Sequence, residues 1–355
     1  MEGEISVIGA GPAGAAAAAI LARSGFKVTV YEALDRLAVK ACGRAVPATS
    51  DLPLQMPRSS IIHEINRAVL YVDGLKTVEV SLRGSGYVVD KEDLLEEWIA
   101  SSGAELRKSS IYNPLTGLVR TGGEVKEVRD GVLAGGSSFY NGEKIMAVQA
   151  IVRGARNVEQ DTIVINFDTG LLGYYWVFPW GDEVEVGVGG FADAITLRSL
   201  LDKYIQRSPD LSSGRAAGYA GAPIAVGGVS LEVHRGLVKV GEAAGFVLPL
   251  TGEGIRPSVI SGYEAGRAIA EGRDVISSLR SLRITRAIEI QRSILNAVKG
   301  MTPSRRREFL QAIPAEVHEE VALGSFRLSR ITVALARRPD ILVKLLKYIG
   351  GGLGA

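Results

Sequence analysis

Three glycines near the start of the chain have the spacing of a phosphate-binding turn. Gly9, Gly11 and Gly14 follow the apolar run EISVI and precede the alanine-rich stretch AAAAAILAR. In this pattern the first glycine allows a tight turn, the second lets the backbone approach a pyrophosphate, and the third lets the helix pack closely on the sheet. Glu32 closes the next β-rich run, KVTVYE, where an acid can accept hydrogen bonds from ribose hydroxyls. Together these residues predict a dinucleotide site.

A second glycine-rich loop lies far along the chain. The run LVKVG ends at residue 241 and is followed by Glu242, and then by Gly252, Gly254 and Ile255 at the start of an amphipathic segment. A strand, an acid, a glycine-rich loop and a helix N-terminus again form an anion site. A simple NAD domain has its glycine loop only at the start, whereas the longer FAD threads through two such elements. The spacing therefore favours FAD.

The only cysteine of the chain is Cys42, so no internal disulfide can form. The three histidines, at positions 63, 234 and 318, have no ligand spacing with it or with one another, and no metal site is predicted. The residues alone leave two interpretations of Cys42: a small buried packing residue, or a reactive thiol.

Aromatic residues make up only 6% of the chain, yet five of them occur in the stretch YYWVFPW. If this stretch is a strand, its side chains alternate, which places Tyr174, Trp176 and Phe178 on one face and Tyr175 and Val177 on the other. The first face is either an ordinary core face or a rigid apolar wall of a pocket, and the proline that follows fixes where it ends.

The two glycine loops, the cysteine and the aromatic stretch need strands and helices that bring them together. With 355 residues, the chain can form two domains or one large domain with an insertion. Periodicity predicts an α/β fold of mixed α+β character, with a Rossmann-like part, an antiparallel sheet and a helical C-terminal region. The predicted elements are a β–α–β unit to residue 32, strands over 61–89, a helix over 91–102, strands over 104–133, three strands over 143–190, a helix over 194–207, a strand over 237–241, a helix to about 272, and helices over 278–300, 303–313 and 339–351.

We expect this order to correspond to three parts of the molecule. A discontinuous FAD-binding domain would comprise residues 1–60, 91–142 and 234–272. A substrate-binding sheet domain would comprise residues 61–90 and 143–233, and a helical region would follow over 273–355.

Charge is distributed unevenly along the chain, although the net charge is only +2. Residues 1–272 carry 26 Lys and Arg against 32 Asp and Glu, whereas residues 273–355 carry 15 against 7. The basic region is either a set of solvated helix faces or a surface for an anionic membrane or a charged partner. No nucleic-acid partner is predicted.

The N-terminal sequence and the lengths of the apolar runs indicate where in the cell the protein is located. No charged leader precedes the first strand, and no apolar run reaches the roughly 20 residues that span a bilayer. We therefore expect a cytoplasmic protein, with peripheral membrane contact through the basic helices as the alternative. Asparagine and glutamine are scarce, which is compatible with a thermophilic source.

Five segments of the chain match one known family. They are GAGPAG with Glu32, Lys40-Ala-Cys42-Gly43, GYVVDKEDLLEEWI, Tyr174-x-Trp176-x-Phe178-Pro179 and VGEAAGFVLPLTGEGI. In these segments, over roughly residues 4 to 272, the chain resembles the geranylgeranyl reductase family of FAD-dependent oxidoreductases, within the aromatic-hydroxylase-like flavoprotein superfamily. The Lys-x-Cys-Gly and Tyr-x-Trp-x-Phe-Pro segments are the most specific, because the wider superfamily lacks them.

The resemblance implies where FAD and the substrate bind. In the family the cysteine segment lies beside the isoalloxazine ring, and the Tyr-Trp-Phe-Pro strand lines the pocket of the isoprenoid chain. The resemblance implies that FAD contacts Ala13, Gly14, Glu32, Cys42, Gly43, Glu242, Gly254 and Ile255. The other predicted cofactor-binding residues are Gly9, Gly11, Arg44, Lys91 and Gly252. The implied substrate-binding residues are Tyr174, Trp176, Phe178 and Pro179.

Three positions depart from the family pattern. Lys91 stands where the family usually has arginine, and it keeps the charge without the bidentate fork. Glu242 stands where the superfamily commonly has aspartate. The segment LAGGS, residues 133–137, lacks the acid that relatives carry in an Ala-Asp-Gly sequence and that is associated with flavin and pyridine-nucleotide contacts. This last difference argues against direct use of a nicotinamide donor.

The implied function is a reductase that saturates C=C bonds of geranylgeranyl-type lipids or prenyl diphosphates. Reduced flavin delivers a hydride to one carbon, and the other carbon needs a proton, for which Cys42 (or a water that it holds) and Tyr174 are the candidates. The electron donor would be NADPH or a ferredoxin-like protein. The alternatives are a flavoprotein monooxygenase acting on an aromatic or polyketide-like substrate, an electron-transfer flavoprotein of the quinone type, and a non-catalytic prenyl-binding escort protein. The intact glycine pattern argues against the escort.

Overall fold

The chain begins with the predicted β–α–β unit. A computed structural model describes residues 3–47, 49 and 51–322. Strand β1 (Glu4–Ile8), helix α1 (Pro12–Arg23) and strand β2 (Lys27–Tyr31) follow the periodicity of the sequence. The alanines at 15–19 are all buried, because their small side chains let α1 lie close to its neighbours on every side.

Strands and helices continue through the rest of the described chain. The strands are β3 (Ala45–Pro47), β4 (Ile61–Val72), β5 (Leu75–Val89), β6 (Glu105–Arg107), β7 (Ile111–Asn113), β8 (Leu118–Thr121), β9 (Glu124–Glu127), β10 (Gly131–Leu133), β11 (Lys144–Arg153), β12 (Thr162–Asp168), β13 (Gly173–Trp180), β14 (Glu183–Gly190), β15 (Arg215–Ala225), β16 (Val233–His234) and β17 (Leu237–Lys239). The helices are α2 (Lys91–Ala100), α3 (Ala194–Arg207), α4 (Ile255–Ala270), α5 (Val275–Arg280), α6 (Arg283–Lys299), α7 (Pro303–Ala312) and α8 (Ala315–Ala322). Asp90 and Asp193 fix the starts of α2 and α3, because each carboxylate accepts backbone N–H bonds from the first turn.

A six-stranded sheet forms the Rossmann-like half, in the order β16–β17–β10–β1–β2–β6. Its pairs are parallel except for the β16–β17 hairpin. Parallel strands end at the same edge of a sheet, so Gly9, Glu32 and Ala134, which follow β1, β2 and β10, come together there. This edge positions the glycine turn and the acid predicted to bind the cofactor.

An eight-stranded sheet forms the other half, in the order β15–β11–β14–β13–β12–β4–β5–β3. Its pairs are antiparallel except that β4 and β12 run parallel, a feature that alternation within single strands cannot reveal. Helix α3 covers one face, where Leu197 and Leu201 pack with Tyr175 and Val177 of β13. Strand β15 is absent from the predicted strands because its sequence, RAAGYAGAPIA, has little of the β-branched character that marks a strand.

Two further placements differ from the predicted order. The predicted strands over 104–133 divide: β6 and β10 join the six-stranded sheet, while β7, β8 and β9 form a separate antiparallel sheet. Strand β3, from the range assigned to the FAD-binding domain, joins the eight-stranded sheet. The division into three domains remains a prediction.

The C-terminal region is helical as far as it is described. The predicted helix over 278–300 is instead two helices, α5 and α6, and α8 follows α7. The predicted helix over 339–351 lies outside the described residues, as does the part of the basic region beyond residue 322. Within residues 3–322, leaving out 48 and 50, no helix is long and apolar enough to cross a membrane.

Candidate functional site

The glycine turn has the geometry that its spacing predicts. Gly9 has φ +97°, and a Cβ there would lie 2.5 Å from the carbonyl oxygen of Ala134. A Cβ at Gly14 would lie 1.9 Å from the Gly9 carbonyl oxygen, so only glycine allows α1 this close to the turn. A Cβ at Gly11 would meet no atom within 4 Å, which leaves the backbone open to a ligand. Pro12 then begins α1.

Glu32 lies at the adjacent strand end. Its two carboxylate oxygens accept hydrogen bonds from the backbone N–H of Ala10 (2.9 Å) and of Leu34 (3.1 Å). These bonds fix the carboxylate beside the glycine turn, in the position from which an acid can bind ribose hydroxyls.

The second glycine loop meets the first at the same site. A Cβ at Gly262 of α4 would lie 2.0 Å from the Ala13 carbonyl oxygen of α1, so these two helices touch backbone to backbone. Helix α4 begins at Ile255, directly after Gly254. Its N-terminus, like that of α1, therefore faces the space between the sheets, where the helix dipoles favour an anion.

Residues 40–44, which we call the cysteine loop, are tied to both halves of the site. The Lys40 ammonium pairs with Glu242 and lies 3.3 Å from the Ser137 hydroxyl. Lys91, predicted to contact the cofactor, donates to the Lys40 carbonyl oxygen at 2.9 Å. The second carboxylate oxygen of Glu242 accepts the N–H of Ala225 at 3.2 Å. The predicted cofactor residues Lys91 and Glu242 thus also hold the loop in place.

Within the cysteine loop the backbone is shaped for close packing. Arg44 has φ +57°, a left-handed conformation, and its backbone N–H donates to the Cys42 sulfur at 3.4 Å. A Cβ at Gly43 would lie 2.9 Å from the ring of Phe178 and 3.5 Å from the indole nitrogen of Trp176. The missing side chain therefore brings the backbone of the cysteine loop directly against the aromatic strand.

The aromatic strand alternates as predicted. Tyr174, Trp176 and Phe178, which we call the aromatic wall, have adjacent ring centroids 6.1 and 6.4 Å apart and line a cavity, whereas Tyr175 and Val177 face α3. The Tyr174 hydroxyl donates to a loop carbonyl oxygen, and burial raises the pKa of its phenol well above the usual range.

Glycines on the neighbouring strand make room for the aromatic wall. In β14, Gly187 lies opposite Trp176 and Gly189 lies opposite Tyr174. A Cβ at Gly187 would lie 2.0 Å from the Trp176 ring. The glycines of the sequence EVEVGVGG are therefore explained by the size of the rings beside them.

A cavity of about 550 Å³ connects all of these groups. Except for Gly14, which packs under the turn, and Pro179, every predicted site residue lines it. Aliphatic and aromatic side chains of the eight-stranded sheet line the rest; they are Ile65, Ala68, Leu70, Leu82, Ile163, Ile165, Phe167 and Ile224. His318 of α8, assigned no function from sequence, also lines the cavity.

One buried acid next to the site was not predicted. Glu185 of β14 accepts from the Trp176 indole nitrogen (3.4 Å) and from the Gln149 amide nitrogen (3.1 Å), and lies 3.8 Å from the Arg44 guanidinium. Burial raises the pKa of its carboxyl from 4.5 to about 7, although Arg44, the Trp176 hydrogen bond and Lys91 oppose the rise. A signal existed in the sequence, because alternation in EVEVGVGG places this acid on the same face as Gly187.

Comparison with known proteins identifies relatives of the chain. A family model described as an NAD(P)-binding Rossmann-like domain matches residues 7–51. The chain is 26% identical over 311 residues to a digeranylgeranylglycerophospholipid reductase of Thermoplasma acidophilum, covering 76% of this chain and 78% of the relative. It is 26% identical over 306 residues to a geranylgeranyl diphosphate reductase of Rhodobacter capsulatus, covering 76% and 75%.

Solved structures share the fold. A geranylgeranyl bacteriochlorophyll reductase-like protein of Thermoplasma acidophilum superposes with a TM-score of 0.76 at 21% identity, covering 98% of this chain and 100% of that one. A flavin-dependent halogenase superposes with a TM-score of 0.66 at 17% identity, covering 98% and 79%. These comparisons confirm the predicted Rossmann-like α/β fold and the resemblance to the geranylgeranyl reductases. The curated relatives are named as reductases, which confirms the predicted enzyme class, an oxidoreductase of the geranylgeranyl reductase type.

Proposed function

We propose that this chain, which is similar to named geranylgeranyl reductases over 76% of its length, is a flavin-dependent reductase that saturates C=C bonds of isoprenoid lipids. The observation that carries the proposal is one continuous cavity. It is bounded on one side by two glycine loops with helix N-termini, and on the other by the aromatic wall and aliphatic side chains. A dinucleotide and a long alkene need these two surfaces next to each other.

The residues on the polar side fit FAD. Space is open beside Gly11, so a pyrophosphate can approach the backbone at the N-terminus of α1, with Glu32 placed for a ribose. Glu242, Gly252 and Gly254 would hold the second half of the molecule. When bound, the flavin supplies the hydride for the reduction.

The apolar side fits an isoprenoid chain. The aromatic wall is rigid, because the Trp176 ring lies against the bare backbone of Gly187 and the Phe178 ring against Gly43. The aliphatic side chains that continue this surface would exclude water from the alkene. We propose that the chain of a geranylgeranyl lipid or prenyl diphosphate lies along the wall, with its double bond beside the cysteine loop.

The second carbon of the alkene needs a proton, and the contacts favour Cys42 as its source. The Cys42 sulfur accepts the Arg44 N–H, and its own S–H donates to no other residue in the described part of the chain. The Tyr174 phenol stays protonated because burial raises its pKa, but its proton is engaged with the carbonyl oxygen of Thr251. Tyr174 is then better suited to shaping the pocket than to donating.

A missing acid supports one choice of electron donor. Ala134, Gly135 and Gly136 line the cavity in the segment that lacks an aspartate. We therefore favour a ferredoxin-like protein over NADPH as the reductant. Stopped-flow reduction of the flavin by each donor tests this choice, and rapid reduction by NADPH alone would contradict it.

The function is tested by anaerobic turnover. The purified protein should carry a yellow flavin absorbance, and the dithionite-reduced form should be reoxidised by a geranylgeranyl lipid, with a product heavier by two hydrogens per saturated bond. Reoxidation by oxygen alone, with a hydroxylated product, would favour the monooxygenase instead. A protein without flavin would exclude both.

Cys42→Ser separates the two proton donors. If the thiol donates the proton, this variant should bind flavin normally and lose alkene reduction by about 100-fold or more, the usual contribution of a positioned acid. An unchanged rate would return Cys42 to a packing role.

A further inference from the structure

Glu185 is a buried acid whose charge has one close cationic partner among the described residues. Its side chain is 1% exposed and lies on the cavity side of β14, opposite Phe178 in the β13 pairing. Trp176 and Gln149 donate hydrogen bonds to it, but both are neutral. The cation is Arg44, whose Nε lies 3.8 Å from the carboxylate.

Arg44 is held on two sides. Its guanidinium carbon lies 3.8 Å from the centroid of the Trp180 ring, and Glu185 faces its Nε. The backbone of Arg44 is left-handed, at φ +57°. A residue other than glycine keeps this conformation when its surroundings hold it there; Arg44 has the side-chain contacts with Glu185 and Trp180, and its carbonyl oxygen accepts the Val89 N–H at 3.1 Å.

Arg44 in turn positions the thiol. Its backbone N–H, oriented by the left-handed conformation, donates to the Cys42 sulfur at 3.4 Å. Gly43, between them, packs directly on Phe178. A continuous set of contacts therefore runs from the Glu185 carboxylate through Arg44 to Cys42.

We propose that Glu185 is a positioning residue whose ionised carboxylate holds Arg44, and through it the Cys42 thiol, against the aromatic wall, and that protonation of Glu185 releases the cysteine loop. The consequence for alkene reduction rests on the proposed function, but the coupling between Glu185 and Cys42 does not.

The switch works near neutrality. Burial raises the pKa of Glu185 to about 7, while Arg44 from the cysteine loop and Lys91 from α2 act in the opposite direction. Strands β11 and β13 face the carboxyl with the uncharged Gln149 and Trp176. The loop is accordingly tethered above pH 7 and released below it.

The single cysteine makes the coupling measurable without substrate. Cys42 is the only thiol in the chain, so its alkylation by N-ethylmaleimide, followed by mass spectrometry, reports on this loop alone. Glu185→Gln mimics the protonated acid at every pH. The ratio of the variant's rate to the wild-type rate at one pH isolates the effect of the Glu185 charge on this loop.

We expect this ratio to be near one at about pH 5.5 and about tenfold at about pH 8.5, because only the ionised wild type keeps the contact with Arg44. Arg44→Gln should raise the ratio at about pH 8.5 at least as much, and it should keep part of the rise at about pH 5.5 because it also removes the Trp180 contact. Adding Glu185→Gln to Arg44→Gln should change the ratio no further. Glu264→Gln serves as the matched control and should give a ratio of one throughout. It removes a buried α4 carboxylate that pairs with Arg267 of the same helix and with Arg273, which follows it.

A ratio that does not change with pH, or a double variant with additive effects, would overturn the inference. Arg44→Gln keeps the test decisive if Glu185→Gln does not fold. Failure of the proposed function is a separate outcome: a protein that shows the pH-dependent ratio but reduces no isoprenoid lipid retains the coupling and loses only the reductase assignment.

Discussion

Replacing Glu185 by glutamine should stabilise the folded protein at alkaline pH. The carboxyl has its usual pKa of 4.5 when the chain is unfolded and about 7 when it is buried beside Trp176. Each tenfold change in an acid constant corresponds to about 1.4 kcal/mol, so ionising this group in the folded state costs about 3 kcal/mol of stability. Glutamine carries no charge to desolvate and avoids that cost.

The sign follows from the direction of the shift. A carboxyl whose pKa is raised by folding contributes stability that is complete below pH 4.5 and is lost as the pH rises through 7. The free energy of unfolding of Glu185→Gln should therefore match that of wild type near pH 4.5 and exceed it by about 3 kcal/mol near pH 8.5.

Urea unfolding of both proteins at the two pH values measures this difference. Glu264→Gln is the control with the opposite sign, since it leaves Arg267 and Arg273 without their buried partner and should lower stability at alkaline pH. A Glu185→Gln variant that is less stable than wild type near pH 8.5 would refute the reasoning and show that the contact with Arg44 outweighs the cost of burial.

Three further substitutions test the site. Gly187→Ala should drive a Cβ into the Trp176 ring and so raise KM for an isoprenoid substrate. It should lower the free energy of unfolding by about 1–3 kcal/mol, while flavin absorbance persists. An unchanged KM would show that the aromatic wall does not line the substrate pocket. Gly14→Ala should clash with the Gly9 carbonyl and abolish copurifying flavin, and a fully loaded variant would contradict the placement of the cofactor. Tyr174→Phe removes one hydrogen bond and should lower the free energy of unfolding by about 1 kcal/mol. The rate of alkene reduction should fall less than tenfold. A larger loss of rate would indicate that the phenol is the proton donor.

Local features of the sequence predicted much of the cofactor site. The open backbone at Gly11 and the packing of Gly14 on the Gly9 carbonyl involve no residue distant in the sequence, whereas Gly9 also packs against Ala134. Glu32 is tied to the glycine turn by strand direction alone, because parallel strands bring their ends to one edge. The aromatic alternation of β13 is equally local.

Tertiary structure decided the contacts between segments that are distant in the chain. The partner of Glu185 is Arg44 and that of Lys91 is the Lys40 carbonyl, and neither choice is marked by spacing in the sequence. Strand β15 exists because β11 offers it a backbone edge, despite its alanine and glycine content.

The sequence alone thus determined the glycine turn and the aromatic face, since periodicity and glycine geometry act over a few residues. The assembly of those features into one cavity, and the burial that raises the pKa of Glu185, arose only in the folded chain. Burial and the nearest opposite charge are properties of the folded neighbourhood, and no local pattern specifies them.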